Sequence, residues 1–353
     1  MNETTGPHRN RSGFRLSGLN GSKVHLFFAG RTGAGRDWGA FRRALYALLI
    51  IPLLLFVVLG LGGAYRYLNN FWLYRGFAKP QDPAFVREQG KLVTIHVKSS
   101  ALGERGPEVA VYLPPGYSAH PRTRYPVLYI LHGFPGSPVG LFNTVRLGVI
   151  EDELVAQKKA RPMILVLPFG SSGIFEDKEW ANAVHPYEGW ETFFAHDVVR
   201  VIDSRYRTIR DAADRGVAGL SEGGYGALNI ALHHPREFSL IESWSGYMNA
   251  DDIPAIFGGN KPLLDYNSPS KYLPAVASSL RERRVFVWFY SETRDKFLPQ
   301  NLDFSKELAA YGIAHHFFVL PGGHTWVAWR AQARNAYLVA SHRLKGAEKS
   351  KHA

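Results

Sequence analysis

The sequence predicts an α/β fold, in which helices cover both faces of a mostly parallel sheet. Three short runs, at 126–131, 163–167 and 285–290, are continuously apolar, which is typical of strands that are buried on both faces. Segments with helical patterning, at about 140–159 and 190–202, lie between these runs. Strands that alternate with helices in this way indicate a parallel sheet with helices on both sides.

Ahead of this domain, residues 44–65 form an uncharged apolar run, long enough to cross about 30 Å of hydrocarbon as a helix. The run is apolar on every face and lies outside the alternation of strands and helices, so we interpret it as a transmembrane helix rather than a core helix. A cleaved signal peptide, with secretion of the domain, is the alternative. More than 40 residues precede the run and the small-x-small cleavage pattern after it is poor, which favours an uncleaved signal anchor.

The charges before the span predict its orientation. Residues 1–43 contain eight Lys and Arg residues against Glu3 and Asp37, and such an excess keeps its side of the membrane in the cytoplasm. We therefore expect a single-pass protein of the cell membrane whose later residues lie outside. Residues 1–43 are rich in Gly, Arg, Ser and Asn without periodicity, so we expect this basic cytoplasmic segment to be disordered.

A globular domain is predicted at 91–344, after a linker at 66–90 and before a basic tail at 345–353. Its first two strands, at 91–97 and 108–113, show the alternation expected of strands with one solvated face.

Later in the domain, the segment 246–279 follows a strand near 240–245 and interrupts the alternation. We interpret this segment as an insertion over the functional site. A helix at 302–311, a strand at 316–320 and a closing helix at 326–344 complete the domain.

The most informative stretch is Gly219-Leu220-Ser221-Glu222-Gly223, which follows a short apolar run and precedes a helical segment. This is the strand, turn and helix context of a Gly-x-Ser-x-Gly nucleophile elbow. Side chains two residues before and after the serine would collide with the neighbouring strand and helix, so glycine is needed at both positions. Ordinary glycine-rich turns also contain this pentapeptide, so the interpretation depends on the partners that a nucleophilic serine requires.

The general base is predicted to be His324, because the order on this architecture is serine, acid and then histidine. His324 follows the last strand and two glycines, where a base must lie to reach Ser221. The alternative is a solvated loop histidine, since the chain contains 14 histidines. Four other histidines lie at helix or strand ends and are interpreted as structural: His233, His234, His315 and His316.

The acid must follow the strand at 285–290, where Glu292, Asp295 and Asp303 are the candidates. Its role is to orient the imidazole and to stabilise the imidazolium. Asp303 lies in a predicted helix. Asp295 is preferred, and Glu292 stays open as the alternative acid.

The oxyanion of an acyl-transfer reaction needs two preorganised N–H donors, and the loss of one typically costs about 3 kcal/mol of transition-state stabilisation. One predicted donor is the amide of Glu222, at the start of the helix after the serine, where the helix dipole also helps. The other is the amide of Phe134, in the loop after the strand at 126–131.

These motifs resemble the Putative esterase family of α/β-hydrolases, which includes esterase D, feruloyl esterases and the antigen 85 mycolyltransferases. The resemblance covers roughly 91–344, and its motifs occur in the family's order. They are Leu131-His132-Gly133, Pro168-Phe169-Gly170, 190–194, 218–228, His234-Pro235, Phe238, Ser245-Gly246 and Gly323-His324-Thr325-Trp326 with Trp329. The resemblance implies an α/β-hydrolase fold, a serine mechanism and acyl-ester chemistry, and it assigns the acid to Asp295.

One position departs from the family pattern. The residue after the serine is commonly Met in the family, and here it is Glu222. Its amide suffices for the oxyanion, while its carboxylate would add negative charge near the site and favour a cationic substrate group.

The combined prediction is a membrane-anchored, extracytoplasmic serine esterase that hydrolyses carboxylic esters through an acyl-enzyme. A mycolyltransferase-like acyltransferase, which passes the acyl group to a sugar or lipid hydroxyl, is the alternative. Trp180, Trp190 and the loop at 170–188 resemble that branch of the family. A non-catalytic binding module of the cell envelope is a third possibility, which the presence of serine, histidine and acid disfavours.

The composition of the chain limits the classes of partner and cofactor that we expect. The net charge of +12 is partly local to the two ends, and no basic run is interleaved with aromatic residues, so we expect no nucleic acid. The absence of cysteine excludes disulfides, a cysteine nucleophile and thiolate metal sites. No histidine cluster has metal-ligand spacing, so we expect neither a metal nor a cofactor. The expected partners are a small-molecule or lipid ester and the membrane.

Overall fold

A computed structural model of the chain describes residues 38–171 and 180–344. The basic tail predicted at 345–353 lies outside the described residues, as does most of the cytoplasmic segment predicted at 1–43. The chain falls into two compact units, Met1–Gly62 and Gly63–Ala353. The second unit contains the whole of the predicted globular domain.

The first helix, α1 (Trp38–Tyr74), has 37 residues and includes the predicted span at 44–65. None of its residues is buried, and the helix is long and apolar enough to cross a membrane. It does not end at Arg66 but continues for eight more residues, so that its last part, from Gly63 on, belongs to the second unit. The first residues of the linker predicted at 66–90 are therefore helical.

The second unit is built on one mixed sheet, which has eight strands within the described residues. The strands are β1 (Lys91–His96), β2 (Glu108–Leu113), β3 (Val127–Leu131), β4 (Ile164–Pro168), β5 (Arg215–Leu220), β6 (Leu240–Trp244), β7 (Phe286–Glu292) and β8 (His315–Leu320). Their spatial order is β1-β2-β4-β3-β5-β6-β7-β8. The pairs β1/β2 and β2/β4 are antiparallel, and all other pairs are parallel. The predicted mostly parallel sheet is therefore confirmed.

Helices cover both faces of this sheet. Along β3, Val127 and Tyr129 face one apolar cluster and Leu128 faces the other, because successive side chains of a strand point to opposite faces. The helices of the first face are α4 (Trp190–Thr192), α5 (Val199–Arg205), α6 (Glu222–His233), α8 (Pro269–Glu282) and α9 (Leu298–Ala310). Those of the second face are α2 (Pro138–Thr144), α3 (Leu147–Ala156) and α10 (Trp326–Arg343).

Two predicted helices differ in detail. The helix expected at 140–159 is broken into α2 and α3, because Arg146 adopts a left-handed conformation with φ 63° and starts α3 in a new direction. The helix expected at 190–202 contains a π-helical turn at Phe193–Val198, between α4 and α5. Neither irregularity is marked by glycine or proline at the break, which explains why the sequence pattern does not show it.

The segment 246–279 combines two kinds of structure. It begins with two short 3₁₀ turns and with α7 (Lys261–Tyr266). It ends in α8, whose Leu273 and Leu280 are buried in the main core. Helix α8 is therefore the crossover between β6 and β7, and only the first part of the segment, with Tyr247 and Ile253, borders the cleft described below.

Candidate active site

Ser221 lies in the turn between β5 and α6, at the carboxyl edge of the sheet. Its backbone has φ 54° and ψ −119°, which residues other than glycine rarely adopt. A Cβ at Gly219 would lie 2.1 Å from the carbonyl oxygen of Gly223, and a Cβ at Gly223 would lie 2.2 Å from the carbonyl oxygen of Leu131. The close approach of α6 to β5 therefore requires glycine at 219, and its close approach to β3 requires glycine at 223, as the nucleophile-elbow pattern predicts.

His324 joins the serine to a carboxylate. Its Nε2 lies 2.7 Å from Oγ of Ser221, and its Nδ1 lies 2.9 Å from Oδ2 of Asp295. With its proton on Nδ1, the imidazole donates a hydrogen bond to Asp295 and accepts one from the hydroxyl of Ser221. The three residues follow β5, β7 and β8, so the shared edge of the parallel strands brings the predicted serine, base and preferred acid together.

Asp295 is placed to remain ionised. Burial by itself raises the pKa of its carboxyl group, but hydrogen bonds from His324 and from the Phe297 amide, at 2.9 Å, outweigh burial and leave the pKa below its usual value. The third candidate, Asp303, lies on the exposed surface of α9 and pairs with Lys306 at 2.7 Å. A negative charge next to His324 therefore comes from Asp295.

Glu292, the alternative acid, has a different partner. Both of its carboxyl oxygens lie 2.8 Å from Oγ of Ser245, and the indole N–H of Trp329 donates to the same Oγ at 2.9 Å. Burial raises the pKa of Glu292 to about 7, although the hydrogen bond from Ser245 opposes the shift. The side chain therefore belongs to a buried hydrogen-bond chain beside the site. Sequence analysis missed Ser245 as part of this chain.

The two predicted oxyanion donors border the same space. Glu222 is the first residue of α6 and is buried, and Phe134 follows β3 and lines the cleft in front of Ser221. Between them, a Cβ at Gly133 would come within 3.0 Å of the Cβ of Ser221. The loop after β3 thus approaches Ser221 so closely that a side chain at position 133 would contact it.

Two buried side chains hold this loop. The indole N–H of Trp180 donates to the carbonyl oxygen of His132 at 3.0 Å, and Nε2 of His132 accepts from the Gly170 amide at 3.1 Å. Burial lowers the pKa of His132 to about 4, so its ring is neutral at physiological pH and can accept that hydrogen bond. The sequence singles out Trp180 and His132, but only the packed loop shows that they hold the chain at His132, two residues before Phe134.

An open cleft of about 470 Å³ leads to Ser221. Besides Ser221, Glu222, Asp295 and His324, the cleft is lined by apolar and cationic residues, which are Phe134, Tyr247, Ile253, Phe297, Arg294 and Lys296. Arg294 and Lys296 are exposed at the rim, and the ammonium group of Lys296 lies 4.5 Å from the centre of the Phe297 ring.

Within the described residues, Glu292, Asp295 and His324 offer ligand atoms that all lie within 4.8 Å of one another. Such spacing also suits a metal ion, but the hydrogen bonds described above already engage these atoms. The geometry is that of a base held by a carboxylate.

Known proteins share this architecture. The chain matches the family model described as Putative esterase over residues 99–337, which is more than half of its length. Esterase Rv1288 of Mycobacterium tuberculosis is 31% identical over 259 residues, which cover 65% of this chain and 54% of that protein. The chain thus spans about half the length of this curated relative.

Two further comparisons reach other branches of the family. A solved structure titled ferulic acid esterase superimposes with a TM-score of 0.65 at 28% identity and covers 72% of this chain and 99% of that one. Diacylglycerol acyltransferase/mycolyltransferase Ag85C of Mycobacterium avium is 23% identical over 211 residues, which cover 48% of this chain and 58% of that protein. By its family-model match, its relatives and its sheet, the chain belongs to the Putative esterase family and has the α/β-hydrolase fold.

Proposed function

We propose that this protein is a membrane-anchored serine esterase that hydrolyses carboxylic esters through an acyl-enzyme, with its catalytic domain outside the cytoplasm. The observation that carries the proposal is the continuous hydrogen-bond chain from Ser221 through His324 to Asp295, at 2.7 and 2.9 Å. Family membership supports the same chemistry.

In the first half of the reaction, Oγ of Ser221 forms a bond to the carbonyl carbon of the ester while Nε2 of His324 takes its proton. The charge that develops on the carbonyl oxygen is stabilised by the amides of Phe134 and Glu222. The tetrahedral intermediate then breaks the bond to the alcohol oxygen, and His324 gives the proton to the departing alcohol. The acyl group stays on Ser221.

In the second half, water takes the place of the alcohol. His324 removes a proton from water as its oxygen attacks the acyl carbon, and the same two amides hold the oxyanion. Collapse of this intermediate returns the proton to Oγ of Ser221 and releases the carboxylic acid. Asp295 stabilises the imidazolium in both halves without taking its proton.

Labelling with a fluorophosphonate probe tests the catalytic part directly. The full chain is expected to be labelled and to hydrolyse p-nitrophenyl esters, and Ser221→Ala is expected to lose both properties. A series of p-nitrophenyl esters of increasing chain length would then define the acyl group. Failure of the intact chain to react with the probe would contradict the esterase proposal and favour a binding module.

Anchoring is supported by the length and exposure of α1, and the outward-facing topology is supported by the excess of Lys and Arg in residues 1–43. The chain has no cysteine, so single cysteines report their location without interference. We expect Ser100→Cys to react with a membrane-impermeant maleimide on intact cells and Ser12→Cys to react only after lysis. The opposite pattern would reverse the topology, and a labelled chain found only in the medium would indicate secretion after cleavage.

Acyl transfer is the second candidate, because a relative is named as a mycolyltransferase and the same acyl-enzyme can react with an alcohol. Product analysis with and without trehalose or a lipid alcohol separates the two activities. A new ester that forms at the expense of the free acid would favour the transferase.

A further inference from the structure

The chain that follows the apolar span does not leave the domain as a free linker but lies against it. We call residues 71–77 the docking segment. A guanidinium N–H of Arg75 donates to the carbonyl oxygen of Pro135 at 2.8 Å, and the hydroxyl of Thr144 donates to the carbonyl oxygen of Leu73 at 3.2 Å. A Cβ at Gly140 would lie 3.3 Å from the carbonyl oxygen of Trp72, so the helix end packs tightly on α2.

Cation–π contacts extend this docking to α10. The guanidinium of Arg75 lies 4.2 Å from the ring centre of Trp72 and 5.3 Å from that of Trp326. The guanidinium of Arg330 lies 4.6 Å from the ring centre of Phe77. Each cation–π pair of this kind is attractive, and the attraction grows as the pair is desolvated. The hydrogen bonds fix the docking segment to the loop after β3 and to α2, and the cation–π contacts fix it to the start of α10.

The elements that hold the docking segment also border the active site. Pro135 directly follows Phe134, the proposed oxyanion donor, whose side chain lines the cleft and is 43% exposed. Trp326 and the 65% exposed Val327 come two and three residues after His324. The mouth of the site and the docking segment therefore lie on the same side of the domain.

The distance to the apolar span is short. Tyr65, the last residue of the predicted span, is joined to Trp72 by continuous helix within the second unit. Seven residues at 1.5 Å each make about 10 Å. Because the docking segment is fixed to the domain, this length limits how far the site mouth can lie from the end of the span. Phe134 and Val327 are exposed apolar side chains near that mouth.

We propose that the active site takes its substrate from the membrane surface, so that its natural substrates are amphiphilic esters whose apolar part rests in the bilayer. This inference rests on the proposed function. The docking segment acts as a spacer that sets the height of the site above the lipid, and the cleft receives the ester group at the level of the headgroups.

The test uses the full chain in phosphatidylcholine vesicles with two esters. One is water-soluble p-nitrophenyl butyrate, and the other is p-nitrophenyl palmitate embedded in the same vesicles. A variant with ten Gly/Ser residues inserted between Tyr67 and Leu68 keeps the docking segment but adds a flexible spacer of about 17 Å. We expect the insertion to lower activity on the embedded ester at least fivefold and to leave activity on the soluble ester within twofold.

A pair of substitutions tests the side of the domain that carries the site mouth, without changing the chain length. Val327→Glu places a charge where we infer contact with lipid, and Tyr311→Glu places one on a 37% exposed residue at the end of α9. Only Val327→Glu is expected to reduce activity on the embedded ester, by fivefold or more, with the soluble ester unaffected.

The outcomes separate this inference from the proposed function. An insertion variant and a Val327→Glu variant that process both esters like the unmodified chain would overturn delivery from the membrane while leaving the esterase intact. An equal loss on both esters would also overturn it, because the docking segment would then serve catalysis or folding and not delivery. Absence of fluorophosphonate labelling at Ser221 would instead defeat the esterase proposal.

Discussion

The indole of Trp329 stands edge-on against the imidazole of His324, with ring centres 4.9 Å apart and planes at 89°. The same indole donates its N–H to Ser245, and Ser245 in turn lies against both carboxyl oxygens of Glu292. Glu292 thus reaches the base through Ser245 and Trp329 and also lies beside Asp295, whereas Asp295 is hydrogen-bonded to the base directly. We therefore expect different roles for the carboxyl group of Glu292, at the end of β7, and that of Asp295, in the loop that follows.

We predict that Asp295→Asn and Glu292→Gln separate these roles. Asp295→Asn removes the charge that holds and stabilises the imidazolium, so kcat should fall by about 10³–10⁴-fold. Glu292→Gln keeps a neutral hydrogen-bonding group against Ser245, so kcat should fall by less than about tenfold. Steady-state kinetics with p-nitrophenyl butyrate measures both values, and a larger loss in Glu292→Gln would make Glu292 the acid.

The raised pKa of Glu292 predicts a pH-dependent stability. In the folded chain this carboxyl group has a pKa of about 7, against 4.5 for the free group. A raised pKa means that the folded state keeps a proton which the unfolded state releases. The resulting stabilisation is fully present below about pH 4.5 and is lost as the pH rises through 7.

Glu292→Gln removes this dependence, because an amide does not titrate. The Tm of the variant minus that of the unmodified chain should therefore be more positive at pH 8 than at pH 4.5, with both measured in detergent. Other buried carboxyl groups are present in both proteins, so their effects on Tm cancel in this difference. Asp152 is one of them, since burial raises its pKa to about 6. A difference that does not change between these two pH values would show that Glu292 titrates normally.

The proposed nucleophile and the proposed base carry local sequence signals, which is why the sequence alone singles out Ser221 and His324. Ser221 needs glycines at fixed offsets, and His324 needs a place after the last strand. The hydrogen-bond chain through Ser245 and Trp329 could not be predicted in the same way, because it depends on how β6, β7 and α10 approach one another. The choice between Asp295 and Glu292 likewise depends on which way each side chain packs.

The strands and the parallel sheet could likewise be predicted from the sequence, whereas some details of the fold could not. The buried strands are marked by continuous apolar runs, and their order along the chain determines a parallel sheet. The break between α2 and α3 has no such mark, because it depends on Arg146 in a conformation that the sequence pattern does not report. The docking of 71–77 also escapes prediction, since an aromatic stretch after a membrane span suits an interface as well as a protein contact.

The elbow makes a steric prediction. Gly223→Ala would place a Cβ 2.2 Å from the backbone of Leu131, and neither β3 nor α6 can move away without disturbing the sheet. We expect the variant to lose fluorophosphonate labelling and at least about 5 °C in Tm, in line with the cost of overpacking. Gly106→Ala is the control, since its Cβ would meet Lys98 at an ordinary 3.4 Å. Normal labelling of Gly223→Ala would contradict the steric account.

The last prediction concerns the loop after β3, which carries the proposed oxyanion donor Phe134 and is held by Trp180. Trp180→Phe removes the N–H that holds the carbonyl of His132, two residues before Phe134. Because an oxyanion donor acts mainly in the transition state, a loosened loop should lower kcat about tenfold and change KM much less. Trp190→Phe is a matched control, because this buried indole donates to Glu188 at 2.7 Å, away from the loop.

The two substitutions remove the same atoms from buried sites, so their effects on Tm should be similar while their effects on kcat differ. Kinetics with p-nitrophenyl butyrate at matched folded fractions makes the comparison. If both variants lose kcat equally, the loss reflects general destabilisation. If Trp180→Phe keeps full kcat, the position of the Phe134 amide does not depend on this hydrogen bond, and the backbone of β3 and the packing of Gly133 on Ser221 must hold it alone.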